Sequence, residues 1–137
     1  MRIISGKLKG KIINFLKNSN TRPLKDSVKE NIFNILTHSN LINGKIGKAN
    51  ILDLYSGVGS FGLECISRGA KKVTFVEQDK DAFNILKENL IQLSVLSKAT
   101  IINNKIENIL NKNDKEKYNI FFLTHHFQIK NLLKILI

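Results

Sequence analysis

The chain has 137 residues, 42% of them hydrophobic and 24% charged, which fits one globular domain with one core and contains no apolar run long enough to span a bilayer. Its one cysteine, Cys65, excludes an internal disulfide and a zinc site, and the start Met1-Arg2-Ile3-Ile4-Ser5-Gly6-Lys7 lacks the apolar stretch of a signal peptide, so a cytoplasmic, metal-free protein is expected. A formal net charge of +11 invites a polyanionic partner, but Lys outnumbers Arg 19 to 3 and Lys, Ile and Asn make up 56 residues, as AT-rich coding would produce, so the placement of charge says more than its total.

Residues 1–25 carry Arg2, Lys7, Lys9, Lys11, Lys17, Arg22 and Lys25 with no carboxylate, whereas residues 26–137 net only +4. The chain opens as a short hairpin: Arg2-Ile3-Ile4-Ser5, a turn at Gly6-Lys7-Leu8-Lys9-Gly10, then Lys11-Ile12-Ile13-Asn14-Phe15. Thr21-Arg22-Pro23 breaks that pattern, because proline fixes its own φ and pushes Arg22 towards extended geometry. A helix follows, capped by Asp26 or Ser27, with Val28, Ile32, Phe33, Ile35 and Leu36 at helical spacing as far as Asn40 and Asn43-Gly44. Residues 49–55 make a compact apolar strand that runs into the glycine-rich stretch 56–62 and a helix through Ile66 to Arg68, ended by Gly69-Ala70. Residues 72–77 are a second strand, and residues 81–93 a second helix with Phe83, Leu86, Leu90 and Leu93 on its apolar face. Ala99-Thr100-Ile101-Ile102 is a third strand, Ile106, Ile109 and Leu110 mark a short helix, and residues 118–123 are a fourth strand.

Strands alternating with helices predict right-handed βαβ units. The expected fold is α/β, a Rossmann-like parallel sheet with flanking helices behind a basic N-terminal hairpin. It divides into a basic extension at 1–25, a ligand-binding domain at 26–123 and a tail at 124–137.

In such a sheet ligands bind beyond the carboxyl ends of the strands, where residues 53–62 lie. Gly57 and Gly59 lack the Cβ atoms that would hold a ligand off the backbone, and Gly62 lets the helix pack closely on the sheet. Roughly twenty residues later Glu77 ends the second strand, where a carboxylate accepts both hydroxyls of a ribose, so a nucleoside-bearing ligand is expected. NAD-linked oxidoreductases share this glycine pattern. Asp53 favours S-adenosylmethionine instead, since a buried carboxylate just before the turn repels a pyrophosphate and suits a cationic amino-acid moiety. The plainer alternative is that Asp53 merely ties the loop and Glu77 is a solvated charge at a strand end.

The order Arg2-Ile3-Ile4-Ser5-Gly6-Lys7-x-Lys9-Gly10, then Arg22-Pro23-x-x-Asp26-x-Val28-x-Glu30-x-x-Phe33-Asn34-Ile35-Leu36, then Leu52-Asp53-Leu54-Tyr55-Ser56-Gly57-Val58-Gly59-x-x-Gly62-Leu63-Glu64-x-x-Ser67-Arg68-Gly69-Ala70 resembles the bacterial 16S ribosomal RNA guanine-N2 methyltransferase family. The glycine loop alone is common to many methyltransferases; its combination with the N-terminal segments is more specific. The resemblance implies transfer of a methyl group from S-adenosylmethionine to the N2 amine of a guanine in 16S rRNA, free or in an assembling small subunit, by a monomer. It further implies that Asp53, Tyr55, Ser56, Gly57 and Gly59 hold the methionine end and Glu77 with Gln78 the ribose and adenine. Arg2, Lys7, Lys9, Lys11 and Arg22 would contact RNA by phosphates and shape more than by sequence. Leu24, Ser27 and Lys105 depart from the family pattern, which often has Thr, Arg and a small polar or acidic residue there.

Amino methyltransferases of this kind carry an Asp-Pro-Pro-Phe/Tyr segment straight after the fourth strand. A guanine amine is a poor nucleophile because its lone pair is conjugated, so a carboxylate and a proline-fixed carbonyl hold its hydrogens while an aromatic ring stacks the base. This chain has Thr124-His125-His126-Phe127 at that place. No intact catalytic motif is expected, and a one-base deletion in a T-rich coding run would convert Phe-Phe-Phe-Asp-Pro-Pro-Phe into the observed Phe-Phe-Leu-Thr-His-His-Phe. Loss of later strands would leave the fourth strand as an open, aggregation-prone edge. A metal or base pair at His125 and His126 is disfavoured, because adjacent residues of a strand point to opposite faces. A non-catalytic RNA- or nucleotide-binding remnant is the alternative function.

Overall fold

A computed structural model describes residues 1–17, 25–38, 46–110, 117–123 and 134–136. After the N-terminal hairpin the elements are α1 (Asp26–His38), β1 (Asn50–Leu54), α2 (Ser60–Ser67), β2 (Lys72–Val76), α3 (Lys80–Gln92), a 3-10 turn (Leu96–Lys98), β3 (Ala99–Ile102), α4 (Ile106–Leu110), β4 (Ile120–Leu123) and β5 (Lys134–Leu136). The sheet runs β3-β2-β1-β4-β5. Its first four strands are mutually parallel, which gives the expected Rossmann-like α/β fold, and β5 lies antiparallel to β4. The fourth strand is therefore not the sheet's edge, as had been expected: Phe121 to Leu123 pair with the backbone of 134–136.

β1 is central and covered on both faces, which explains why its sequence is nearly all apolar. Successive side chains alternate. Ile51 enters the larger core with α2, α3 and the hairpin, while Leu52 and Leu54 enter a smaller one with Val76 and Ile106 beneath α4. Asp53 shares the face of Ile51, so its carboxylate points to the side on which α2 packs. β1 pairs Leu54 with Val76 of β2 and with Leu123 of β4, so three strands end at one edge, where the glycine-rich segment begins.

The hairpin closes through an Arg2–Ile12 bridge, with Ile3 N–H donating to Lys11 O and Ile13 N–H to Met1 O. It is fastened to the domain, since Ile3 and Ile13 are buried in the larger core. α1 departs from its expected face. Val28 and Ile35 are exposed, and Lys29 is buried beside Phe33 and Leu36. Asp26 is the helix's first residue, and its carboxylate takes the Arg2 guanidinium at 2.7 Å. Phe33, Phe61 and Phe122 pack together at centroid separations of 6.0 to 6.3 Å and join α1, α2 and β4, with the Arg68 guanidinium over the Phe33 ring. Among the described residues no helix is long and apolar enough to cross a membrane.

Candidate functional site

At the end of β1 the backbone leaves the sheet through Tyr55, which takes a φ of +55°. A bulky residue in the left-handed region is strained, and such strain persists only where its surroundings enforce it. Here Ser56 N–H and Oγ both donate to Val76 O, which roots the loop on the end of β2. Gly59 N–H then donates to Ser56 O, and Leu63 N–H to Gly59 O as α2 begins.

The glycines divide their tasks differently from expectation. At Gly59, where φ is +95°, a Cβ would stand 2.5 Å from Leu86 Cδ1, so the turn and the packing of α3 both favour a bare residue there. At Gly62 a Cβ would meet the Phe75 ring at 2.2 Å, the close helix-on-sheet approach that was expected. Only Gly57 of the three faces open space, with nothing within 4 Å of its missing Cβ.

Asp53 is completely buried. Its Oδ2 accepts the Gly62 N–H at 3.2 Å, while Oδ1 has no hydrogen-bond partner among the described residues. Burial, with a smaller push from the Glu77 charge and against the pull of the Gly62 N–H, raises its carboxyl to about 8, so at neutral pH it holds its proton. Ser60 Oγ, at the start of α2, is likewise buried without a partner. Each of these orphaned polar atoms beside the loop asks for a ligand or water.

Glu77 follows β2 directly and is buried. Its Oε2 accepts the Gly57 N–H at 2.8 Å and its Oε1 the Asp79 N–H at 3.0 Å. It is therefore neither a solvated charge nor an unused one. Each carboxylate oxygen keeps a second lone pair, so capacity for hydroxyl donors remains. Gln78 is exposed; its carbonyl, with that of Glu77, accepts the Asn103 amide at 3.2 and 2.9 Å. Asn103 was not singled out in the sequence, since its backbone partners lie 25 and 26 residues before it. The structure thus brings Asp53, Tyr55, Ser56, Gly57, Gly59, Glu77 and Gln78 to one edge of the sheet.

The basic residues sit elsewhere. Lys7, Lys9 and Lys11 are exposed around the hairpin turn, and Arg2 is engaged with Asp26. Arg22 and the segment Thr124, His125, His126 and Phe127 lie outside the described residues. Sequence reasoning missed what seats the hairpin. Glu64, fully buried in α2, accepts Ile4 N–H at 2.8 Å and Ser5 N–H at 3.1 Å, and pairs with Lys29 Nζ at 3.2 Å and Arg68 Nε at 3.1 Å. Lys29 Nζ also donates to Arg2 O, and burial lowers its pKa against the pull of Glu64. Ser67 Oγ accepts Leu8 N–H and donates to Ser5 O at 2.6 Å. The visible signal was a glutamate inside the apolar run 61–66. Cys65 is buried nearby, and burial pushes its thiol well above its ordinary range.

Comparison with known proteins adds a family. The model of Conserved hypothetical protein 95 matches residues 1–137. Ribosomal RNA small subunit methyltransferase D of Buchnera aphidicola subsp. Baizongia pistaciae is 35% identical over 140 residues, covering 100% of this chain and 68% of that relative. Its namesake in Haemophilus influenzae is 37% identical over 129 residues, covering 93% of this chain and 64% of that relative. A solved Escherichia coli protein named as a candidate methyltransferase, yhhF, superposes with a TM-score of 0.68 at 29% identity, covering 82% of this chain and 56% of that one. The chain thus spans 56% to 68% of the length of these proteins.

Proposed function

Since the chain belongs to the family of Conserved hypothetical protein 95, which takes in the small-subunit ribosomal RNA methyltransferases, we propose that it is the S-adenosylmethionine-binding part of an enzyme that methylates the N2 amine of a guanine in 16S rRNA. The observation that carries this reading is the join between Glu77 and Gly57. A carboxylate set for hydroxyls is held 2.8 Å from the one loop glycine whose side-chain position is open.

The residues fit the cofactor. Asp53 offers a buried oxygen in need of a partner, and a cationic α-amino group beside it would favour its ionised form, the proton leaving to solvent. Gly57 gives the methionine portion access to bare backbone, with Tyr55, Ser56 and Gly59 fixing the turn. Glu77 receives the ribose hydroxyls, and Gln78 borders the adenine. Bound there, S-adenosylmethionine supplies an electrophilic methyl group. What the chain contributes is orientation of the donor, and the one proton change at the loop is loss of the Asp53 proton to solvent as the donor binds. NAD fits less well, because its pyrophosphate brings no cationic group to the unpartnered oxygen of Asp53.

The RNA side of the reading rests on Lys7, Lys9 and Lys11 around the hairpin turn, with Arg2 and Arg22. They would meet phosphates of 16S rRNA, free or in the assembling subunit, in the cytoplasm and as a monomer. Calorimetry tests the donor assignment: S-adenosylhomocysteine should bind and NAD should not, and the reverse preference rejects it.

A second reading is favoured by one feature of the sequence. Thr124-His125-His126-Phe127 stands where the family's amine-holding motif belongs, which suits a binding protein without catalysis. Thr124→Asp combined with His125→Pro and His126→Pro separates the two. Methyl transfer to small-subunit particles that appears only in the triple variant marks the present chain as a remnant. Equal transfer by both shows that the motif is dispensable.

A further inference from the structure

Asn89 lies in α3 and is 1% exposed, so its amide has left water entirely. Its hydrogen bonds are complete: Oδ1 accepts the Asn14 N–H at 2.9 Å, and Nδ2 donates to Asn14 O at 3.0 Å and to Val58 O at 3.0 Å. One acceptor and two donors meet one donor and two acceptors, so the orientation of the amide is fixed. The flipped amide would set donor against donor and acceptor against acceptor. Asn14 is further tied to the same helix by its own amide, which donates to Gln92 Oε1 at 3.0 Å.

The two backbone segments held by this one side chain belong to different regions. Asn14 ends the basic hairpin, directly after the core residue Ile13. Val58 sits between Gly57, the open position of the glycine loop, and Gly59, which is wedged against Leu86. Glu77 also holds the loop, through the Gly57 N–H. A ligand seated at Gly57 therefore presses on a peptide whose next carbonyl is bonded to Asn89. Because a planar amide moves as one body, a shift or tightening at Val58 O is passed to both bonds of Asn14.

We propose that Asn89 is a positioning residue that couples the glycine loop to the basic hairpin, so that occupancy of the loop by the adenosyl donor and binding of RNA by the hairpin strengthen one another. This coupling rests on the function proposed above. Linkage makes it reciprocal: whatever factor the donor adds to RNA affinity, RNA adds to donor affinity. The chemical value is order of events, since a donor-loaded protein would hold its substrate best.

The test measures two affinities, each with and without the other ligand, in the full chain and in Asn89→Ala. S-adenosylhomocysteine is titrated by calorimetry, and transcribed small-subunit ribosomal RNA by filter binding. In parallel, hydrogen exchange of the Asn14 amide is followed in the unaltered protein with and without S-adenosylhomocysteine, which needs no variant to fold. The unaltered chain should show tightening of about fivefold or more in both directions. Asn89→Ala should bind each ligand alone while the factor falls to about one, and Asn14 exchange should slow when the loop is filled. A factor unchanged in the variant, or an Asn14 amide indifferent to S-adenosylhomocysteine, overturns the coupling while both binding roles stand. Failure of the unaltered chain to bind one of the two ligands at all overturns the functional reading and the coupling with it.

Discussion

Asp53 in β1 and Glu64 in α2 are both carboxyl groups without solvent exposure, and they are treated in opposite ways. Glu64 gathers two backbone N–H groups, a lysine and an arginine, so nothing in its surroundings is left wanting. Asp53 has one backbone N–H and an oxygen with no partner among the described residues. Burial with full compensation marks a joint of the scaffold, here the seat of the hairpin and α1. Burial left incomplete marks a place kept for something that arrives later.

The contrast is broken most forcefully at the joint. Glu64→Leu leaves Lys29 as an unpaired buried cation and two hairpin N–H groups without acceptors, and should cost about 3–5 kcal/mol in urea unfolding. A loss well under 1 kcal/mol would mean that the hairpin is held by its apolar contacts alone. Gly62→Ala comes next, because its Cβ must displace the Phe75 ring. About 1–3 kcal/mol is expected in the same assay, with the backbone of the loop unaltered.

The third way concerns pH. Asp53 titrates near 8 in the folded chain against an ordinary value of 3.8, so between these limits the folded protein binds more protons than the unfolded one. Its contribution to stability is whole below 3.8 and is lost as pH rises to about 8, by at most about 1.4 kcal/mol per pH unit. Asp53→Asn should remove that slope, making the variant gain on the unaltered chain as pH rises; parallel stability profiles of the two would show that Asp53 is not held neutral. The smallest stability effect belongs to Gly57→Ala, at about 1 kcal/mol for the positive φ. Affinity for S-adenosylhomocysteine should fall there more than at Gly62→Ala, so the two glycines separate ligand access from packing.

Much of this layout was legible in the sequence because it rests on period and on glycine. The alternation of strands and helices gave the parallel sheet, and the run from Asp53 to Gly62 located the loop at the end of β1. What escaped were charges and amides satisfied only by the tertiary fold. Lys29 reads as a solvated helix position, and its burial depends on Glu64, thirty-five residues away. Val28 and Ile35 fit an apolar stripe, yet the helix is turned so that Lys29 and Phe33 face the core. Gly59 reads as a ligand glycine by spacing, and its closeness to Leu86 is a tertiary contact that spacing does not reveal. Asn89 and Asn103 bear no local mark, since their partners lie in segments far along the chain.

The most direct test of the acid-flanked loop is the proton count on ligand binding. S-adenosylhomocysteine should be titrated at neutral pH in two buffers of different ionisation enthalpy, into the unaltered chain and into Asp53→Asn. Binding that releases a large fraction of one proton from the unaltered chain, and none from the variant, is the expected result, since a cationic group beside Asp53 must bring its carboxyl down from about 8. Binding with no proton released, or no binding at all, contradicts it.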